Sequence, residues 1–186
     1  MVEDVLAALA ACAGVDAILL VSAEPAARAL AAAVGAEAID DPLQGGQSAA
    51  ALLGLRALPP ATRRALLVPG DCPALDPAEL QDLLRGAQPG LTVVPDRHGT
   101  GTNALLIEPP DAVAPSFGPG SGARHLEHAA AAGVPARTRR MASLEHDVDT
   151  PADLQALTRL LDARPGAAPR TRAALPTQPA SSGRRP

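Results

Sequence analysis

Leu66-Leu67-Val68-Pro69-Gly70-Asp71-Cys72-Pro73-Ala74-Leu75 sets a short apolar run against a turn of small residues that carries one acid. A run of that length and composition reads as a strand buried on both faces, the type found in parallel sheets. Pro77-Ala78-Glu79-Leu80 opens a helix directly after it, with Asp76 placed to cap it and Pro77 suited to its first position. Asp71 is therefore free of the capping role and sits at the carboxyl end of a strand. In open α/β sheets that end is where ligands bind. A carboxylate there can hold Mg²⁺ against substrate phosphates, because this ion takes oxygen ligands and usually only one or two from the protein.

Outward from this stretch, helical and strand patterns alternate. Helices are expected at 5–9, where the chain opens, and at 25–34, 48–58, 78–84, 123–132 and 152–161. Strands are expected at 17–21, 37–39, 65–68, 91–94, 104–107 and 134–141, the first of them buried. The alternation predicts an α/β domain with a mainly parallel sheet over residues 1–162. A doubly wound domain normally opens with a strand and a ligand-binding turn. This sequence opens on a helix, so the first strand of such a sheet is expected to be missing.

The chain has 186 residues, enough for one domain with a substantial core. Nearly half of them are apolar, but there is one Phe and no Trp or Tyr, so Ala, Leu and Val must fill the interior. The scarcity of aromatics and the net charge of −4 argue against nucleic-acid binding and against a membrane surface. The sixteen basic residues are all Arg, which excludes a P-loop lysine or a Schiff-base lysine. Cys12 and Cys72 fit a reducing compartment, and Met1-Val2-Glu3-Asp4 has no signal-peptide character, so a cytoplasmic protein is expected. From residue 163 to 186 the chain is rich in Pro, Ala, Arg and Ser, holds five Arg and no acid, and is expected to be a disordered tail.

Three further segments carry candidate chemistry. Asp96-Arg97-His98-Gly99-Thr100-Gly101-Thr102-Asn103 offers hydroxyls, a guanidinium and exposed N–H groups to a phosphate or carboxylate. Phe117-Gly118-Pro119-Gly120-Ser121-Gly122 leads into a helix whose amino terminus can receive an anion. In His146-Asp147-Val148-Asp149-Thr150-Pro151-Ala152-Asp153, Asp147 and Asp149 share one face of an extended segment, and Thr150 with Asp153 can cap the last helix. Asp147 and Asp149 are not needed for that cap; brought near Asp71, they make a magnesium site. His125 and His128 are expected to be a surface pair, Cys72 a packing residue, and Arg137, Arg139 and Arg140 a solvated strand face.

These pieces, in this order, resemble the CofC/FbiD family of guanylyltransferases, which make the guanylylated precursor of coenzyme F-420. The resemblance rests on LLVPGDCPAL (66–75), DRHGTGTNALLIEPP (96–110), FGPGSGARH (117–125) and DVDTPADL (147–154). It implies a nucleotidyltransferase-like (Rossmann-like) three-layer α/β sandwich, GTP as donor, Mg²⁺ as cofactor, and phosphoenolpyruvate or 2-phospho-L-lactate as acceptor. By motif, Thr102, Gly118 and Ser121 would hold the acceptor's phosphate and carboxylate. Asp71, with Asp147 or Asp149, would hold the metal. Family members begin with a strand and a basic loop, and this sequence starts after them. Gly46-Gln47-Ser48-Ala49-Ala50 stands where the family tends to have G-L-N-A-A, so Ser48 shortens a side chain expected to face the nucleotide. The rival readings are a non-catalytic relative that binds phosphorylated acids, and a transferase for another acceptor such as molybdopterin.

Overall fold

A computed structural model describes residues 1–175 of the chain. The elements follow in the order α1 (Val2–Ala10), β1 (Leu19–Ser22), α2 (Ala27–Ala32), β2 (Glu37–Asp40), α3 (Gln47–Arg56), β3 (Ala65–Leu67), α4 (Pro77–Arg85), β4 (Gly90–Pro95), β5 (Thr102–Glu108), α5 (Ser121–Ala131), β6 (Ala136–Thr138), a 3₁₀ turn (Ala142–Leu144), α6 (Pro151–Ala163) and α7 (Pro169–Ala174). The alternation expected from the sequence holds from α1 to β4 and is interrupted where β5 follows β4 directly.

β1 and β2 pair in parallel, and β3-β5-β4-β6 form a second sheet. Within it β4 and β6 are parallel, while β5 runs antiparallel to both β3 and β4. The mainly parallel arrangement expected from the sequence is present, with β5 the exception among the described strands. Its course was not anticipated because strand direction is invisible in a hydrophobic run. The loop of residues 96–101 reverses the chain between β4 and β5, so β5 returns along its predecessor.

Both faces of this sheet are covered, as the unbroken apolar runs of β4 and β5 require, since successive side chains point to opposite faces. Val94, Ala104 and Leu106 pack with Val5 and Ala8 of α1 and with Leu80, Leu83 and Leu84 of α4. Leu91, Val93, Leu105 and Ile107 face the other way, against Ala129 of α5 and Leu55 of α3. The result is an α/β/α sandwich built from aliphatic side chains. Cys72, fully buried, belongs to the first of these clusters, as expected of a packing residue.

Two expectations need correction. β1 is half-buried along its whole length rather than buried. A groove of about 840 Å³ opens between β1 and β3, lined by Leu19, Val21, Leu66, Val68, Gly54 and Leu106 among others. That groove, rather than hydrogen bonds, separates the two sheets. The second correction concerns residues 163–175. Disorder was expected from 163, but α7 folds back onto α1. Asp4, buried in α1, accepts hydrogen bonds from Thr171 N (2.7 Å), Thr171 Oγ1 (2.6 Å) and Arg170 N (3.2 Å). Glu3 pairs with Arg170 at 2.7 Å, and Ala168 packs with Leu157 and Leu161 of α6. The acidic first turn of α1 thus draws the basic segment in. The remainder of the expected tail, 176–186, lies outside the described residues. Among the described residues, no helix is long and apolar enough to cross a membrane.

Candidate active site

β5 begins at an irregularity in its pairing with β4, where Val94 faces Ala104 but Pro95 faces Thr102. Asn103 is the extra residue, so Thr102 meets α5 while Asn103 meets the 3₁₀ turn, and one strand end serves two clusters. On one face, Thr102 meets α5. Ser121 Oγ lies 3.0 Å from Thr102 Oγ1, and His125 Nδ1 lies 3.1 Å from the same oxygen. All three residues are buried. Ser121 N donates to Gly118 O at 3.0 Å, which places Gly118 at the mouth of α5. Gly118 has φ +104° and Gly120 φ +71°, values that glycine adopts without strain. Gly122 N donates to Thr100 O at 3.1 Å, and a Cβ on Gly122 would meet the carbonyls of Thr100 and Gly101 at 3.3 Å. The two glycine-containing loops therefore touch through backbone. The sequence-predicted residues Thr102, Gly118 and Ser121 come together here.

Arg124 holds this loop in place. Its guanidinium donates to the carbonyls of Ser116 (3.0 Å), Phe117 (3.1 Å) and Pro119, and to Ser116 Oγ (3.2 Å). The Ser48 hydroxyl accepts from Phe117 N at 2.8 Å, so α3 is tied to the same loop. His125 is not the surface residue the sequence analysis expected. It is fully buried, its ring meets Phe117 edge-to-face at 5.3 Å, and its Nε2 accepts from Ser116 N at 2.8 Å. Burial first, then the charges of Arg124 and His128, lower its pKa to about 4. His128 is exposed, as anticipated.

On the other face, Asn103 Nδ2 donates to Leu144 O at 2.7 Å and to Asp147 Oδ1 at 3.3 Å. Asp71 follows β3, half-buried, beside Cys72 Sγ at 3.8 Å. Burial pushes the Asp71 pKa up; a backbone hydrogen bond opposes this, and the charges of Asp149 and Asp147 add to the rise. The Cys72 thiol is pushed up as well, by burial and by the Asp71 carboxylate, so it is no thiolate nucleophile at neutral pH. Among the described residues, no three His, Cys, Asp or Glu side chains are gathered as closely as a metal ion would hold them. The donor set nevertheless suits a hard divalent cation. It is all oxygen, its carboxylates repel one another, and such an ion needs only one or two of them when phosphates and water supply the rest.

Arg97 does not reach toward a ligand as the sequence reading expected. It pairs with Asp153, whose other oxygen completes the α6 capping box with Thr150. The Thr150 hydroxyl, then Arg97, holds the Asp153 carboxyl at a pKa of about 2. Arg137 and Arg139 donate to the carbonyls of Gln88, Pro89 and Asp82, and Arg140 pairs with Glu145, so this face is a set of structural ties. Sequence reasoning missed Asn103, Arg124 and His125 as parts of the site. No local signal marked them, because each depends on partners brought in by the fold: Leu144 and Asp147 for Asn103, the carbonyls of Ser116 and Phe117 for Arg124, and Ser116 N–H for His125.

The chain is an α/β/α sandwich with the Asp71 carboxylate after β3 and a glycine-bounded start to α5. The solved structures agree on the fold. A nucleotidyl transferase from Methanothermobacter superposes with a TM-score of 0.67 at 20% identity, covering 87% of this chain and 80% of its own. A Mycobacterium tuberculosis protein solved with manganese superposes with a TM-score of 0.61 at 23% identity, covering 86% and 87%. The family model for the MobA-like NTP transferase domain matches residues 1–180. A phosphoenolpyruvate guanylyltransferase of Conexibacter woesei is 44% identical over 179 residues, which is 94% of this chain and 80% of that protein. One of Sphaerobacter thermophilus is 42% identical over 159 residues, 84% and 76%. The chain belongs to the MobA-like NTP transferases and, within them, to the family of the phosphoenolpyruvate guanylyltransferases.

Proposed function

We propose that this chain transfers GMP from GTP to phosphoenolpyruvate, releasing pyrophosphate, in the biosynthesis of coenzyme F-420. The observation that carries the reading is the meeting of Thr102, Ser121 and Gly118 at the start of α5, beside a strand end whose opposite face bears Asn103 and Asp147. The names of the Conexibacter and Sphaerobacter relatives favour phosphoenolpyruvate over 2-phospho-L-lactate as acceptor.

An acceptor phosphate oxygen attacks the α-phosphorus of GTP. A new P–O bond forms, the bond from that phosphorus to the oxygen bridging to the β-phosphate breaks, and pyrophosphate leaves with the electron pair. A phosphate monoester has a second pKa of about 6, so the attacking oxygen is already largely ionised at neutral pH. No strong general base is required, and catalysis is positioning and charge neutralisation. Thr102 and Ser121 hydroxyls and the backbone around Gly118 would orient the acceptor's phosphate and carboxylate. Asp71, with Asp147 or Asp149, would hold Mg²⁺. When bound, the ion neutralises charge on the transferring and leaving phosphates. Asn103 fixes the Asp147 carboxylate.

The test is pyrophosphate release from GTP and Mg²⁺ by the 186-residue chain, with phosphoenolpyruvate and 2-phospho-L-lactate in parallel. Release that needs phosphoenolpyruvate supports the proposal. Release only with 2-phospho-L-lactate changes the acceptor, and release with neither refutes the activity.

A further inference from the structure

Two hydroxyls and one imidazole form a hydrogen-bonded chain at the start of α5. Ser116 N–H donates to His125 Nε2 at 2.8 Å. A backbone amide can only donate, so Nε2 must carry a lone pair, and in the neutral ring the proton resides on Nδ1. His125 therefore donates from Nδ1 to Thr102 Oγ1, 3.1 Å away. The Thr102 and Ser121 oxygens, 3.0 Å apart, bring two protons of their own. One is used between them. Because the imidazole takes neither, the other remains available to a ligand.

From this geometry we infer that His125 is a positioning residue that makes the Thr102–Ser121 pair a hydrogen-bond donor toward the anionic acceptor. The opposite tautomer would reverse the polarity. With a bare Nδ1, the imidazole would accept the remaining hydroxyl proton, leaving only lone pairs toward a phosphate or carboxylate. The backbone of Ser116 thus determines what Thr102 and Ser121 offer. Arg124 holds that backbone through Ser116 O and Oγ, and Phe117 packs its ring against the imidazole. His125 itself touches no ligand; its effect passes through Thr102. The inference rests on the reading of Thr102 and Ser121 as acceptor contacts.

Two measurements on the full chain test it. The first is nitrogen NMR of the wild-type imidazoles, assigned by comparison with His125→Asn. His125 should show a protonated Nδ1 and a bare Nε2 from about pH 8 to pH 5, where an ordinary histidine takes up its second proton. A protonated Nε2 in that range overturns the inference. The second is steady-state kinetics of His125→Ala, His125→Asn and Thr102→Val. His125→Ala should raise the acceptor KM by about tenfold or more, the loss of one hydrogen bond to an anion, with the GTP KM unchanged. His125→Asn, whose amide N–H can stand in for Nδ1–H, should recover most of that loss. A purely structural role would move both KM values together, or show no recovery with Asn, and either result overturns the inference. If Thr102→Val raises the acceptor KM while His125→Ala does not, the acceptor site stands and the role of His125 falls. If Thr102→Val leaves the acceptor KM unchanged, the acceptor site itself is refuted. Should His125→Ala not fold, the wild-type spectrum and His125→Asn decide.

Discussion

Asn103 Nδ2 donates to Asp147 Oδ1 across 3.3 Å, joining the first residues of β5 to a segment 44 positions later in the chain. The same amide donates to Leu144 O at 2.7 Å, so a single buried side chain fixes both the 3₁₀ turn and the carboxylate beyond it. Asp147 is thereby aimed by the sheet rather than by its own loop.

Replacing Asn103 with Ala should free Asp147 and leave Leu144 O without its partner. An unsatisfied buried group costs about 1–3 kcal/mol. The Mg²⁺ concentration giving half-maximal turnover should rise about tenfold in a metal titration. An unchanged titration curve would remove Asn103 from the metal site.

Asp71→Asn should separate function from stability. Burial and the charges of Asp149 and Asp147 disfavour its ionised form, so removing the charge should leave Tm of the metal-free protein equal or higher. Turnover should fall by about a hundredfold or more, as expected when a charge-neutralising ligand is lost. Mg²⁺ with GTP should raise Tm of the wild type and do so far less for the variant. Asp147→Asn and Asp149→Asn are expected to reduce metal-dependent turnover in the same way. Full activity in all three variants would eliminate the metal site.

Stability should fall in two stages on acidification. His125 is held at about 4 against an ordinary 6.5, so between those values the unfolded chain binds a proton that the folded one does not. Stability then drops as pH falls from about 6.5 to 4, by on the order of 3 kcal/mol. Asp153, held at about 2 against 3.8, contributes stability above pH 3.8 that is lost as pH falls toward 2. Asp71, shifted upward, has the opposite sign and offsets part of the loss. Denaturant titrations across this range should show the first stage missing in His125→Asn.

Thr171→Val tests the docking of α7. It removes one of three donors to the buried Asp4 carboxylate and should destabilise the chain by about 1–3 kcal/mol. For a chain of this size that is a fall in Tm of several degrees, about 2–4 °C for each kcal/mol. No change in Tm would mean that α7 is not held on α1 in solution.

Much of this arrangement is legible in the sequence, because the signals are local. Asp76-Pro77 and Thr150-Pro151-x-Asp153 specify their helix starts by capping chemistry, and both caps form. The aliphatic runs at 91–94 and 104–107 identify buried strands, but the same hydrophobicity serves either direction, so the antiparallel course of β5 is not readable from it. The roles of Arg97 and His125 were unreadable for another reason. Each depends on a partner brought in by the fold, Asp153 for Arg97 and Ser116 N–H for His125. The tail was misjudged between 163 and 175 because composition reports a lack of apolar residues but not a buried acid, Asp4, waiting 167 positions upstream.

The most direct test of the central claim is phosphorus NMR of the products formed from GTP and phosphoenolpyruvate by the 186-residue chain with Mg²⁺. The account predicts equal amounts of pyrophosphate and of a compound in which the GMP and enolpyruvyl phosphorus atoms are joined through one bridging oxygen, seen as two mutually coupled signals. GDP with orthophosphate, GMP without the bridged compound, or unchanged GTP would contradict it.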